Sequence, residues 1–350
     1  MRRSGMNFRK WIMGRIVVPV LRCLPIGKAT NFVEGIGRVE YDRVPDLRKE
    51  LQAAVSSAKT FLGADWDVNS VARELSGRHT RWNLRDLLVD GPSVSRALDT
   101  FDIVGQEHFD AAMAEGKGII LLSNHFGAHV LPGHWMLRKG IDFRFLTERP
   151  RHLSKSLLKY FESTGPLGQK ELFISRKRSG NDGVSSIFRS LRCLKSKYVV
   201  LVASDVRWND NQSVVGRFMG ELWKFTPIWA VLAQRSGAPV LPCYCSMMPN
   251  GRHKLEFGPV QHIQAGESLQ SLVQEALDRV ELKVKQDPLN SNDYFLWATD
   301  TSRASMDVKV LDVDQPASEV SLSQAHGLNA PHFGVTSESV KTSKLHATRD

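Results

Sequence analysis

Four short runs that are apolar at almost every position, with helix-like stretches between them, constrain the fold of this chain more than any other feature. The runs are Gly118–Ser123, Phe143–Thr147, Tyr198–Ala203 and Val240–Tyr244; between them lie Leu153–Ser163, Gly183–Leu194 and Pro227–Ser236. A strand with apolar residues on both faces must be covered on both, and parallel neighbours need a crossover long enough to hold a helix. The pattern therefore predicts an α/β fold: a mainly parallel central sheet with helices on both faces. Ahead of it, residues 45–115 read as helices joined by polar loops. Asp46–Leu62 has Leu47, Leu51, Ala54, Val55, Ala58 and Leu62 at helical spacing, and Arg81–Leu98 and Phe109–Glu115 are similar. Ser268–Lys285 is expected to close the domain as a helix.

Charge divides the chain further. The formal net charge is +10, and seven cations (Arg2, Arg3, Arg9, Lys10, Arg15, Arg22, Lys28) precede the first acidic residue, Glu34, leaving +3 for the rest. Apolar residues from Trp11 to Leu24 are interleaved with them. Arg15 and Arg22 break every run of the roughly 18 apolar residues that a membrane span needs. The same cations, with no A-x-A site, fit a signal peptide poorly. Residues 1–33 instead suit a basic amphipathic segment lying on an anionic membrane surface. A helix packed on the domain with solvated cations is the plainer reading of the same residues. Residues 34–301 form the folded domain. Residues 302–350, serine-rich with Phe333 as the one aromatic, are expected to be a disordered polar tail.

Several chemistries lose their support. Four cysteines without a CxxC exclude a disulfide scaffold and a zinc ribbon. No Walker A or G-x-S-x-G is present, and Glu40 stands where Gly35-Ile-Gly37 would need a third glycine. No nucleic-acid motif accompanies the basic segment, so no nucleic-acid partner is expected. His125 and His129 have the spacing of a helical zinc pair, but Phe126 replaces the usual glutamate and no third ligand stands out.

The informative stretch is residues 116–131. A buried strand runs into Ser123, Asn124 and His125 and turns at Gly127 toward a helix. Ligands of open α/β sheets sit beyond the carboxyl ends of the strands, so a histidine there can reach substrate. This region resembles the lysophospholipid acyltransferase superfamily, and within it the late acyltransferases of lipid A biosynthesis. The resemblance is carried by Gly105–His108, Gly116–Gly118 and Ser123–Gly127, then in order by Arg149-Pro150, Asp205, Gly216–Gly220, Leu232-Ala233, Gly237–Pro242 and Trp297. It covers roughly residues 35–300. It implies a membrane-associated enzyme on the cytoplasmic face of the inner membrane. Such an enzyme moves a fatty acyl group from acyl carrier protein or coenzyme A to a hydroxyl of a lipid acceptor, a lipid A precursor or related lipid, with no metal or redox cofactor.

By the resemblance His125 is the general base, and Ser123, Asn124 and Gly127 shape the oxyanion turn. Arg149 and Asp205 hold the acceptor head group or orient the base, with Phe218 and Gly220 on the substrate side. The superfamily places an acid four residues beyond its histidine plus one, where this chain has Val130, preceded by His129. A hydrocarbon can neither orient an imidazole nor stabilise its cation. A distant acid then substitutes (Glu148, Asp205 or Glu221), or His129 orients the base, or the chain binds lipid without turning it over.

Overall fold

The computed structural model describes residues 17–90, 94–147, 179–208 and 212–297. The expected helix at Leu153–Ser163, the tail from 302 and the basic residues up to 16 lie outside the described residues, as do Glu148 and Arg149. Among the described residues no helix is long and apolar enough to cross a membrane.

The chain opens with five helices: α1 (Val18–Cys23), α2 (Ile26–Arg43), α3 (Pro45–Leu62), α4 (Val68–Asp90) and α5 (Val94–Leu98). Then β1 (Phe101–Val104), α6 (Gln106–Ala114), β2 (Ile119–Ser123), α7 (Leu131–Arg138) and β3 (Phe143–Phe145) follow. After α8 (Ser179–Lys195) come β4 (Val199–Ala203), the hairpin β5 (Val214–Phe218) and β6 (Glu221–Phe225), and α9 (Ile228–Ser236). The last elements are β7 (Val240–Met247), β8 (His253–Phe257), α10 (Leu269–Gln286), a 3₁₀ turn (Pro288–Asn290) and α11 (Asn292–Trp297). Ser268 caps α10, its side chain accepting from the Ser271 amide, which is why that helix starts where the sequence reading placed it.

Six strands form one sheet in the order β1-β8-β7-β2-β4-β3. Every neighbouring pair is parallel except β7 and β8, which form an antiparallel hairpin. β2, β4 and β7 are the continuous apolar runs of the sequence, and their side chains alternate between two cores. Ile120, Leu122, Val200, Val202 and Val240 face one; Ile119, Leu121, Val199, Leu201 and Leu241 face the other. Cys243 and Cys245 pack on the second face as free, buried thiols. Helices therefore must cover both faces, as expected.

Two expectations need correction. Residues 45–115 are not helical throughout, since β1 lies within them. The helix expected at Arg81–Leu98 is the end of α4, which begins at Val68, followed by the separate α5. Strands β1, β5, β6 and β8 were also not legible as apolar runs. β1 is an edge strand of four residues, and β8 alternates buried His253, Leu255 and Phe257 with half-buried Lys254 and Glu256.

A buried ionic cluster fastens the N-terminal helices to the sheet. Glu34 of α2 meets Arg78 and Arg81 of α4 at 3.3 and 3.2 Å. Arg81 also donates to the carbonyls of Met248, Gly251 and Arg252 in the β7–β8 turn, and Arg78 to that of Met247. These hydrogen bonds satisfy the guanidinium groups that burial would otherwise leave uncompensated.

Candidate active site

The site follows from the register of two strands. β2 and β4 pair in parallel with a constant offset, Ile119 opposite Val199 through Ser123 opposite Ala203. Carried two residues past both strand ends, the same offset sets His125 opposite Asp205. There the His125 amide donates to Asp205 Oδ2 (2.9 Å) and the ring Nδ1 lies 2.8 Å from Oδ1. A carboxylate only accepts, so Nδ1 carries the proton. That leaves the lone pair on Nε2, the nitrogen turned away from the acid, and the imidazole side chain keeps a quarter of its surface exposed. Of the two distant acids considered from sequence that lie among the described residues, Asp205 is the one the fold brings to the base. Glu221 stands exposed at the start of β6.

Asp205 is fully buried and holds a third hydrogen bond, from the Tyr294 hydroxyl at 2.5 Å. Burial works to raise its carboxyl pKa, but the His125 ring and these three hydrogen bonds together outweigh it and hold the group below the ordinary aspartate value. Tyr294 is driven well above the ordinary tyrosine value by burial and by the Asp205 charge, so it remains a phenol that donates. Phe218, fully buried at the end of β5, packs edge-on against the Tyr294 ring at 5.2 Å. It supports the tyrosine from within the core rather than lining an open surface. Gly220 forms the tip of the β5–β6 hairpin with Met219; both have positive φ, as a two-residue turn of primed type requires, and Gly220 sits against the ring of Phe61.

In the turn from β2 to α7 four successive amides, His125 to Ala128, are held by hydrogen bonds. The Phe126 amide donates to Asn124 Oδ1, Gly127 to the Asn290 carbonyl (2.6 Å) and Ala128 to the Cys245 carbonyl (2.7 Å). The Gly127 carbonyl accepts from the Trp82 indole at 3.0 Å. Gly127 has φ +63°, and a Cβ there would come within 2.2 Å of the Cys245 oxygen, so no other residue fits. Ser123 and Asn124 are buried, bonded to the carbonyls of Val202 and Cys243. These side chains tie the turn to the neighbouring strands β4 and β7.

His129 stands beside His125, ring centroids 4.8 Å apart, and its Nδ1 lies 3.7 Å from the Asp293 carboxylate. Val130 is the residue before α7. Sequence reading missed Tyr294, Asp293 and Asn290. All three fall in the polar stretch between α10 and Trp297, and the one available signal was the cluster Asn290-Ser291-Asn292-Asp293, dense in turn and capping residues just where α10 ends. A histidine with its protonated nitrogen on a buried carboxylate and a lone pair on the other is equipped to take a proton from a hydroxyl and return it to a leaving group.

The family model described as bacterial lipid A biosynthesis acyltransferase matches residues 89–297, which include His125, Asp205 and Tyr294. Among curated proteins the chain is similar to the phosphatidylinositol mannoside acyltransferase of Mycobacterium tuberculosis. It is 30% identical over 174 residues to that of strain ATCC 25618 / H37Rv and 29% identical over 174 residues to that of strain CDC 1551 / Oshkosh. Each match covers 49% of this chain and 52% of the relative. The chain thus spans about half the length of the curated relatives it matches.

Proposed function

The chain belongs to the bacterial lipid A biosynthesis acyltransferase family, and on that premise we propose that it transfers a fatty acyl group from a thioester to a hydroxyl of a glycolipid acceptor, with His125 and Asp205 as its acid–base pair. The observation that carries this reading is the 2.8 Å contact between His125 Nδ1 and a buried, ionised Asp205. His125 Nε2 removes the proton of the acceptor hydroxyl as its oxygen attacks the thioester carbonyl. The imidazolium that forms is stabilised by Asp205. When the carbon–sulfur bond breaks, the same proton passes from Nε2 to the departing sulfur, which leaves as a thiol. Asp205 stays ionised throughout.

The names of the family and of the mycobacterial relatives share a glycolipid setting, and this supports a sugar-bearing acceptor. The donor is acyl carrier protein or acyl-coenzyme A. The basic segment 1–33 docks the enzyme on an anionic membrane surface, on the cytoplasmic face of the inner membrane. Asp205 beside His125 supports turnover over an inactive lipid-binding reading, which rested on Val130 in the usual acid position. The test is acyl transfer from labelled thioesters of both carriers to total lipid extract, by wild type and by His125→Ala. Labelled glycolipid formed by wild type and absent with the variant supports the proposal. Equal product from both refutes the assigned base.

A further inference from the structure

The net charge of +10 is the sum of two basic blocks and an acidic remainder. Residues 149–204 carry twelve cations and three acids (Glu162, Glu171 and Asp182), a net +9; with +7 from residues 1–33, the rest of the chain stands at −6. Among the described residues this second block comes to the surface on α8. Phe188, Arg192 and Lys195 follow one another at helical spacing along its outward face, with Arg189 beside them and Lys197 just past the helix end, and all five are exposed. Arg144 of the edge strand β3 joins them. Burial raises the pKa of the Cys193 thiol, and Arg144, Arg192 and Arg189 oppose that shift, so three guanidinium groups lie around one point. The sequence holds no acid between Asp182 and Asp205, and α9, which packs on α8, carries Arg235 and no acid. Asp142, exposed just before β3, supplies a carboxylate at this edge. Phe188 is 65% exposed, the most of any large apolar side chain described. An aromatic ring among arginines is the composition of a protein–protein interface core. Such a surface selects carboxylates. Cations spread along about 9 Å of helix match a row of carboxylates on a partner better than one compact anion. One apolar side chain is too little to enter a bilayer, which takes a whole apolar face.

The position suits a donor. A Cβ on Gly118 would meet the Leu194 oxygen, so the end of α8 lies beside the start of β2. His125 is seven residues further along that strand, about 23 Å, and Phe188 is six residues back along α8, about 9 Å. The patch therefore falls about 14 Å short of the base along the strands. A donor docked there must present its thioester on an arm, as a carrier protein does.

We propose that the outward face of α8, from Phe188 to Lys195 with Lys197 beyond it, is the docking surface for an acidic carrier protein that bears the acyl group as a thioester. This rests on the thioester-donor reading above and commits it to the protein carrier. The test measures binding of the full chain, as His125→Ala to prevent turnover, to dodecanoyl–acyl carrier protein by fluorescence anisotropy. Saturable binding that weakens as salt shortens the reach of the charges is expected. Arg192→Glu with Lys195→Glu should weaken it about tenfold or more, and Phe188→Ser about threefold. Arg192→Lys with Lys195→Arg keeps the charge and should bind as before. Because these side chains are exposed, the variants keep the fold. In transfer assays with an otherwise wild-type chain, the charge reversal should raise KM for the carrier thioester, leave kcat unchanged, and leave both constants for dodecanoyl-coenzyme A as they were. The binding arm needs no turnover, so a failure of the acyl-transfer reading leaves its result standing. No binding of the carrier protein, unchanged affinity in the charge reversal, or an equal loss with dodecanoyl-coenzyme A would overturn the proposal. So would a charge reversal that releases the chain from phosphatidylglycerol vesicles without changing its affinity for the carrier, which would identify a membrane contact.

Discussion

Replacing Asp205 by asparagine changes one atom of the carboxylate and tests the whole catalytic arrangement. Asp205 Oδ2 accepts from the His125 backbone amide and the Tyr294 hydroxyl, while Oδ1 accepts from His125 Nδ1. An asparagine must put its oxygen at one position and its NH₂ at the other. The backbone N–H of His125 cannot turn away, so the oxygen takes the Oδ2 position and the NH₂ faces Nδ1. The ring then accepts at Nδ1 and carries its proton on Nε2, where it can no longer act as base. The imidazolium also loses its counter-ion. An equivalent change in a serine-protease triad lowers kcat by about 10⁴. We expect a loss of about 10³ to 10⁴, or roughly 4 to 5.5 kcal/mol of transition-state stabilisation, with KM changed by less than about threefold because no acceptor or donor contact is touched. The assay is initial-rate transfer from the labelled thioester, with a circular dichroism melt to show that the variant is folded. A folded Asp205→Asn enzyme within about tenfold of wild-type kcat would refute the tautomer argument.

Tyr294→Phe removes one hydrogen bond to a charged acceptor. Such bonds contribute about 1.5–3 kcal/mol, so kcat should fall by roughly 10- to 100-fold in the same transfer assay while the melting temperature moves little. Gly127→Ala forces a Cβ onto the Cys245 oxygen at a backbone angle disfavoured by about 1–2 kcal/mol before the clash is counted; denaturant melts should show a loss of more than about 2 kcal/mol, and an unchanged midpoint would contradict the tight turn. Val130→Glu restores an acid at the usual position, but that role is already filled; transfer assays should show no gain, and a large gain would mean that Asp205 does not serve the base. The Asp205 carboxyl is held below its ordinary value, so its contribution to stability is full above the ordinary value of 3.8 and is lost as pH falls through the folded value. The stability difference between wild type and Asp205→Asn, followed by urea melts, should therefore be constant near neutrality and shift in the variant's favour only below that range.

The parts of this fold legible in the sequence are those where burial is total. β2, β4 and the first half of β7 read as apolar runs because both faces are covered, and α3 and α10 show a clean apolar stripe. What escaped was either short, like β1, or half-exposed, like β8. At the site, His125 was visible because a strand delivers it to the sheet's carboxyl edge. Asp205 was visible only as one of several acids, since nothing local links it to a residue 80 positions earlier. The link is the in-register pairing of β2 with β4, a long-range fact. Tyr294 and Asn290 were hidden for the same reason. Each acts through an element that packs across the strand ends, and neither lies in a pattern that its neighbours in sequence explain. Gly127 was recognised as a turn, but its need for glycine comes from the Cys245 carbonyl on another strand.

The central claim is that His125 and Asp205 act as one acid–base unit, and a double-mutant cycle on kcat measures that directly. Groups that act as a unit lose their effect together. The account predicts that His125→Ala combined with Asp205→Asn transfers acyl groups no more slowly than His125→Ala alone. Losses that multiply, or transfer that survives His125→Ala, would contradict it.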